Sequence, residues 1–362
     1  MDTLTPSFCR LAVVLFNLGG PDSLAAVRPF LRNLFVDPAI LSLPGWLRYP
    51  LAWFIAKRRA PIASEIYRKM GGASPLLPLT RAQAAALEER LKRRYPAARV
   101  FIAMRYWHPM SDETAAEVAR FNPDRVILLP LYPQFSTTTA GSSITAWRRA
   151  AASAGITAAE RAICCYPVEE GWIEAQASLI GAALDQLAPE QRPRVLFSAH
   201  GLPKRVVLSG DPYQRQVEQT AAAIIAALRR PGLDFVVCYQ SRVGPLEWIG
   251  PSTEEEIERA AADRVVPVIV PVAFVSEHSE TLVELDIEYR EQAKALGIDT
   301  YIRVAAVGTE PRFIEALASL VERALARPEG EAPADGKRLC AAAFSRCPCT
   351  VSLTARAKEG VS

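Results

Sequence analysis

The chain predicts an α/β fold of two similar Rossmann-like domains, each a parallel sheet flanked by helices, with a cleft between them. Three observations lead there. Short β-rich apolar runs alternate with Ala-rich helical stretches, the pattern of a parallel sheet. Segments 10–21 (RLAVVLFNLGGP) and 194–203 (RVLFSAHGLP) share a basic residue, an apolar strand and a Gly/Pro turn, and 125–135 (RVILLPLYPQF) resembles 264–274 (RVVPVIVPVAF) with matching prolines. At 362 residues the chain is also too long for one ordinary core.

Strands are expected at 11–18, 99–104, 125–131, 194–199, 234–239, 265–274 and 301–305. Helices are expected at 80–94, 112–120, 171–187, 213–229, 252–262, 279–296 and 310–326, the first of them capped by Thr80. The halves divide as 8–170 and 171–326, followed by a linker and cysteine-containing extension at 327–362. Within the extension, 327–338 (RPEGEAPADGKR) is rich in Pro, Gly and charge and reads as flexible. Ligands of such sheets bind beyond the carboxyl ends of the strands. The unusual loops fall there, at 18–21, 105–109, 133–143, 199–203, 240–244 and 275–280, which describes a cleft.

Half the residues are hydrophobic and 22% are charged, as in a globular enzyme. A net charge of +3 without a nucleic-acid-binding signature argues against a nucleic-acid partner. The apolar run 11–18 is only strand length and leads into a turn, so no secretory signal is expected. Seven cysteines then point to a reducing compartment, the cytoplasm, with Cys9 and Cys238 as buried inert thiols. Residues 41–56 (LSLPGWLRYPLAWFIA) are too short to span a membrane and carry Arg48 and two prolines. They are expected to form an apolar lip that meets a greasy ligand or a bilayer.

The segment 275–289 (VSEHSETLVELDIEY) carries the densest chemistry. If helical after Ser276, it stacks Glu280, Glu284 and Glu288 on one face, where like charges four apart cost about 0.2–0.5 kcal/mol per pair. No Lys or Arg occurs between Arg264 and Arg290 to offset them, so the stripe asks for a cation, a proton path or both. His200, just past a buried strand, faces the cleft and can exchange protons near neutral pH. His278 holds a similar place in the second half, while His108 is expected to be structural. No nucleophile elbow, P-loop or dinucleotide fingerprint is present, and His278 with Glu280 supplies only the start of a zinc site. What remains is an imidazole, facing carboxylates and aromatics such as Tyr67, Trp107, Tyr132 and Trp248. With Arg58, Arg59 and Arg105 alongside, the cleft suits a large planar acid.

At this point the chain resembles the ferrochelatases, which insert ferrous iron into a porphyrin. The matching stretches are 15–21 (LFNLGGP), 57–61 (KRRAP), 67–75 (YRKMGGASP), 105–109 (RYWHP), 131–143 (LYPQFSTTTAGSS), 198–203 (SAHGLP), 239–251 (YQSRVGPLEWIGP) and 275–289. By that resemblance His200 takes a pyrrole proton or admits metal, with Glu280 facing it across the ring and Glu284 and Glu288 continuing an acidic relay. His278 joins the catalytic set, and His200 and Glu280 contact the substrate iron. The substrate-binding set is Leu18, Phe35, Arg58, Arg59, Tyr67, Ser74, Arg105, Tyr106, Gln240, Ser241 and Trp248, with Leu34 as a further apolar wall. The resemblance implies protoporphyrin IX as substrate and protoheme as product; it leaves room for a homodimer and for peripheral contact with the inner membrane.

The tail Cys340-x6-Cys347-x-Cys349 stands where cluster-bearing members place [2Fe–2S] ligands, and four thiolates are usual for such a cluster. The animal pattern's internal ligand position is Thr137 here. The resemblance to a bacterial variant offers Cys165 instead, or Cys164. Competing expectations are a coproporphyrin ferrochelatase, a non-catalytic porphyrin or heme carrier on the same fold, and a cobalt or nickel chelatase of the related small class.

Overall fold

The structure, a computed structural model, describes residues 9–242 and 246–349. Residues 350–362 of the extension, residue 8 and residues 243–245 of the loop after the sixth strand lie outside the described residues. Strands and helices are numbered in chain order. The first sheet is built on β1 (Leu11–Asn17), buried along its whole length because helices cover both faces. Parallel to it run β2 (Arg99–Met104) and β3 (Arg125–Pro130), then β4 (Ala159–Ile163) and β9 (Gly330–Ala332), in the order β2-β1-β3-β4-β9. The second sheet, β6-β5-β7-β8, comprises β5 (Pro193–His200), β6 (Asp234–Gln240), β7 (Val266–Pro271) and β8 (Ile302–Arg303), again all parallel.

Around the first sheet lie α1 (Val27–Val36), α2 (Gly45–Lys69), α3 (Leu76–Lys92), α4 (Ser111–Phe121) and α5 (Ala140–Ser153). Around the second lie α6 (Glu170–Leu184), α7 (Lys204–Leu208), α8 (Tyr213–Leu228), α9 (Thr253–Asp263) and α10 (Tyr289–Ala295), while α11 (Pro311–Ala326) returns to β3 and β4 of the first sheet. The internal repeat is visible in the strand pairing. Phe16 stands opposite Pro130, with Leu131 N–H donating to Phe16 O at 2.8 Å. Ser198 stands opposite Pro271, with Val272 N–H donating to Ser198 O at 3.1 Å. The equivalence 16↔198 places Leu18 and His200 at corresponding positions.

Four expectations need correction. The lip at 41–56 enters a long helix, α2, that contains both Pro50 and Pro61; packing on α1 outweighs the roughly 3 kcal/mol a helix-interior proline costs. Thr80 is not a cap, because α3 begins at Leu76; its hydroxyl bonds back to Leu76 O at 2.7 Å and accepts from Asn17 Nδ2 at 3.1 Å. The helix after Ser279 is π over Glu280–Glu288 before turning α at Tyr289. Residues 330–332, read as flexible linker, pair with β4, and Cys164 N–H donates to Ala332 O at 3.1 Å. The chain therefore returns to its first sheet. Helix α11 also packs on α3 and α6, and one apolar core runs through Val13, Leu15, Ile127 and Leu129 on one side and Val195, Phe197, Val268 and Val270 on the other.

Candidate active site

Strand β5 delivers His200 to the carboxyl edge of the second sheet. The next residue must be glycine: a Cβ at Gly201 would lie 2.9 Å from Gln240 O and 3.3 Å from the Trp248 ring. His200 Nδ1 and Glu280 Oε2 are 2.7 Å apart. Two groups at the end of β6 hold the same oxygen, Gln240 Nε2 at 3.2 Å and Ser241 Oγ at 3.1 Å. Ser241 also donates its N–H to Glu284 Oε1 at 2.8 Å and its hydroxyl to Glu284 Oε2. To do both, its backbone sits at φ 61°, a left-handed conformation that costs a non-glycine residue free energy and marks a functional constraint. Beneath it, Ser198 Oγ fixes Gln240 by donating to Oε1 at 2.6 Å.

Charge follows from this wiring. Burial opposes ionisation of Glu280, but the charge and hydrogen bond of His200 outweigh it and hold the carboxyl down at about 2. Burial likewise works against protonated His200, yet Glu280 raises its pKa above the ordinary imidazole value. Burial and the neighbouring Glu280 charge push Glu284 up to about 7, against the hydrogen bonds from Ser241. The site thus holds an imidazolium–carboxylate pair next to a carboxyl poised to exchange protons near neutrality.

His278, expected to share the chemistry, sits at the start of the π-helix beside Glu280. Its Nδ1 accepts the Glu280 N–H at 3.1 Å, its ring packs on Phe274 at 4.4 Å between centroids, and burial lowers its pKa. It holds the start of the π-helix as a neutral ring. Glu288 is also not the uncompensated charge expected, because Lys69 from the end of α2 reaches it at 3.3 Å across the cleft mouth. His108, half-exposed, pairs with Glu113 at 2.8 Å and packs edge-on against Trp107 at 5.0 Å between centroids.

The opposite wall is apolar: Leu18, Leu34, Phe35, Met70 and Trp107 pack around buried Tyr67. The Arg59 guanidinium lies 6.0 Å from the Phe35 ring and Arg58 lies 5.6 Å from Phe54, so both cations border aromatic surface. Tyr67 is pushed up to about 12 by burial, with its hydroxyl at Ser279. Ser74 closes the loop after β1: its N–H donates to Pro21 O at 2.8 Å, and it leaves no room for a Cβ at Gly20. Arg105 and Tyr106, expected in the substrate-binding set, both reach a carboxylate of the protein itself. Arg105 Nη2 lies 2.7 Å and Tyr106 Oη 2.9 Å from one oxygen of Asp37, which is 4% exposed, and Ser142 donates to it as well. A buried carboxylate needs such partners, so these two side chains are committed within the protein. Gln240 and Ser241 belong to the polar wall, and half-buried Trp248 covers Gly201.

Sequence reasoning missed Asp37 and two glutamines that join the halves. Gln83 of α3 donates to Val275 O at 2.9 Å and Gly308 O at 2.8 Å and accepts from Ser276 Oγ at 2.9 Å. Gln134 donates to Thr220 Oγ1 at 2.9 Å and Val272 O at 3.3 Å. A lone glutamine in an Ala-rich or aromatic stretch gives no periodic signal; only its three-dimensional partners reveal it.

The cysteine tail folds back on the body. Arg346 N–H donates to Gly210 O at 3.2 Å, and Gln216 Nε2 contacts Cys165 Sγ at 3.5 Å and Cys340 Sγ at 3.2 Å. Cys164 Sγ lies 3.5 Å from Cys165 Sγ, Cys340 is hydrogen-bonded to Cys347, and Cys349 is buried. The Cys340 hydrogen bond lowers Cys347 to about 6, so one thiolate is already favoured. Thr137 instead donates to buried Asp211 through its N–H at 2.8 Å and hydroxyl at 2.7 Å. Among the described residues no three His, Cys, Asp or Glu side chains close on a single metal ion. The thiols of Cys165 and Cys340 instead gather around Gln216.

Two parallel sheets with an imidazole–carboxylate pair facing an aromatic wall define a chelatase. The frame is that of SirB from Bacillus subtilis, solved with Fe3+, which is 14% identical and aligns over 87% of this chain and 95% of its own with a TM-score of 0.50, a likeness of fold alone. The chain belongs to the ferrochelatase family, whose profile matches residues 10–325. Relatives named ferrochelatase include those of Caulobacter vibrioides strain NA1000 and Phenylobacterium zucineum. Each is 54% identical over 342 residues, covering 94% of this chain and 97% and 98% of the relative.

Proposed function

We propose that the protein inserts ferrous iron into protoporphyrin IX to form protoheme. The observation that carries the reading is the His200–Glu280 pair, 2.7 Å apart, set against the Leu18–Phe35–Tyr67 wall with Glu284 alongside. Insertion places one Fe2+ on four pyrrole nitrogens and releases two protons. His200 uses Nδ1 on Glu280, which leaves Nε2 toward the ring to exchange a proton and meet the metal. Glu280, held anionic, attracts the cation and stabilises the imidazolium, and Glu284 at about 7 takes up released protons. The apolar wall packs on the macrocycle, and bending it against that wall exposes nitrogen lone pairs to iron. Arg58 and Arg59 border the same surface and offer charge to propionates.

Protoporphyrin is favoured over coproporphyrin by the exposed apolar side chains of α2, where Trp46 is 75% exposed and Ile62 69%, with Trp53 and Phe54 between them in sequence. Basic groups flank these rings, Arg28 and Lys57 each 5.3 Å from Trp53. That combination suits peripheral contact with an anionic bilayer from the cytoplasmic side, and among the described residues no helix is long and apolar enough to cross one. Cys165, Cys340, Cys347 and Cys349 are proposed to hold a [2Fe–2S] cluster that ties the tail to α8; Cys164 contacts this group as the alternative ligand. The cluster's contribution is cross-linking.

Anaerobic turnover of the purified protein with ferrous iron and either porphyrin tests the assignment. Faster insertion into protoporphyrin is expected, whereas tight porphyrin binding without insertion overturns the reading. Visible absorption with stoichiometric acid-labile sulfide checks the cluster; colourless, sulfide-free protein purified without oxygen removes it.

A further inference from the structure

The π-helix that carries Glu280 and Glu284 is held from behind by the chain around β8. Such turns are rare, and an unusual backbone persists where its surroundings over-determine it. On the cleft side both carboxylates lie within hydrogen-bond reach of the Ser241 hydroxyl, and Ser241 N–H donates to Glu284 Oε1 at 2.8 Å. On the other side stands Arg303, its side chain only 11% exposed. Its Nη1 donates to Glu277 Oε1, ahead of the helix, and its Nη2 to Asp286 Oδ2 at 3.4 Å, within the helix. These two acids bracket Glu280 and Glu284 along the chain. A guanidinium that faces a single carboxylate closes on it with two parallel hydrogen bonds. Here Arg303 Nε and Glu277 Oε2 are buried without hydrogen-bond partners among the described residues, so the tighter pairing is given up to divide the fork between two acids.

The frame beneath Arg303 is fixed. Arg303 stands opposite Ile269 in the sheet, Val304 N–H donates to Ile269 O at 2.8 Å, and Ala306 N–H donates to Glu277 Oε1 at 3.0 Å. Buried Tyr301, just before β8, adds a second grip. In α geometry Leu285 O would accept from Tyr289 N–H, but that N–H goes to Glu284 O. The Tyr301 hydroxyl donates to Leu285 O, answering a buried carbonyl that the π register deprives of its α-helical donor. Arg290 ties the two grips together, donating to Tyr301 O at 2.9 Å and to Asp286 Oδ1 at 2.6 Å.

We propose that Arg303 and Tyr301 are positioning residues for metal insertion, a role that rests on the chelatase reading above. They hold the π register that brings Glu280 and Glu284 together on Ser241. Among the described residues neither hydrogen-bonds His200, Glu280 or Glu284, so each acts through the helix backbone and the bracketing acids. A lysine at 303 keeps the charge but offers a point charge in place of a planar fork that meets both acids at fixed angles.

The test uses the full-length protein with ferrous iron and protoporphyrin, with rates expressed per porphyrin-binding site. Arg303→Lys should lower kcat about tenfold or more, as follows when catalytic groups shift by about 1 Å. Porphyrin KM should stay within about twofold, because the apolar wall is untouched. Tyr301→Phe removes one oxygen and should lower kcat about threefold in the same pattern; it keeps the test decisive where Arg303→Lys does not fold. Asp286→Asn should resemble Arg303→Lys, and the double variant should be no slower than the worse single one. Wild-type kcat in both Arg303→Lys and Tyr301→Phe overturns the proposal even if Tm falls, because the clamp then serves stability alone. Raised porphyrin KM at unchanged kcat overturns it as well. A wild-type protein that binds porphyrin and inserts no metal overturns the parent reading instead.

Discussion

The two halves share a strand order and part company at corresponding loop residues. With Phe16 equivalent to Ser198, the first sheet presents Leu18 where the second presents His200. The edge strands continue the parallel. Asn17 pairs with Met104 and Ala199 with Tyr239, so Arg105 corresponds to Gln240 and Tyr106 to Ser241. Each pair grips a carboxylate. Arg105 and Tyr106 close on Asp37, which is sealed at 4% exposure, whereas Gln240 and Ser241 grip Glu280 and Glu284 at the cleft. One framework thus yields a buried ion pair that holds a loop and an open one that can do chemistry. The difference lies in who answers the carboxylate: a permanent guanidinium in one half, a titratable imidazole in the other.

The strongest way to break this comparison is at the imidazole. His200→Ala should cost metal insertion at least about 100-fold while porphyrin binding, followed by absorbance, survives. Adding Leu18→His to that variant should restore nothing, because the carboxylates that answer His200 come from the second half; recovery of turnover would show the two sides to be interchangeable. Arg105→Ala should strand Asp37 and cost about 3–5 kcal/mol in denaturant unfolding, with porphyrin KM in the surviving fold little changed. A raised porphyrin KM at unchanged stability would return Arg105 to the substrate site.

Smaller effects sharpen the picture. Gln83→Leu leaves the Val275 and Gly308 carbonyls and the Ser276 hydroxyl without their partner and should cost about 1–3 kcal/mol. Reduced kcat should accompany that loss, because residues 275 and 276 lead into the π-helix. Glu284→Gln tests the electrostatics by linkage. With a folded pKa raised to about 7, Glu284 binds its proton more tightly folded than unfolded, so the stability it contributes is full at acid pH and lost as pH climbs through 7. The variant's Tm should therefore exceed that of the wild type increasingly from pH 5 to pH 8, by about 2–4 °C for each kcal/mol recovered. Lys69→Ala should change stability least, by no more than about 1 kcal/mol, since both partners are exposed.

How much of this was legible depended on whether a residue acts through pattern or through partners. The duplication was readable because buried parallel strands are continuous apolar runs, and their loops carry unusual residues. His200, Glu280 and Glu284 stood out because charge in such loops is conspicuous. Helix α2 was hidden by Pro50 and Pro61, whose cost only tertiary packing reveals as tolerated. Strand β9 was hidden because a three-residue edge strand in a Pro- and Gly-rich stretch has no periodicity to detect. The Asp37 partnership of Arg105 and Tyr106 was illegible for the opposite reason: their types suit propionates, and Asp37 is far away in sequence.

The return of the chain to its starting sheet has a mechanical consequence. With β9 hydrogen-bonded to β4, α11 wedged against α3, and a common apolar core, the jaws of the cleft form a single stiff body and cannot swing apart as hinged lobes. Compliance is left to α2, which carries much of its aromatic surface exposed and rests mainly on α1. On the proposed reading α2 is the part of the wall left to adjust as the macrocycle enters, so freezing α2 should stop turnover without altering the His200–Glu280 pair.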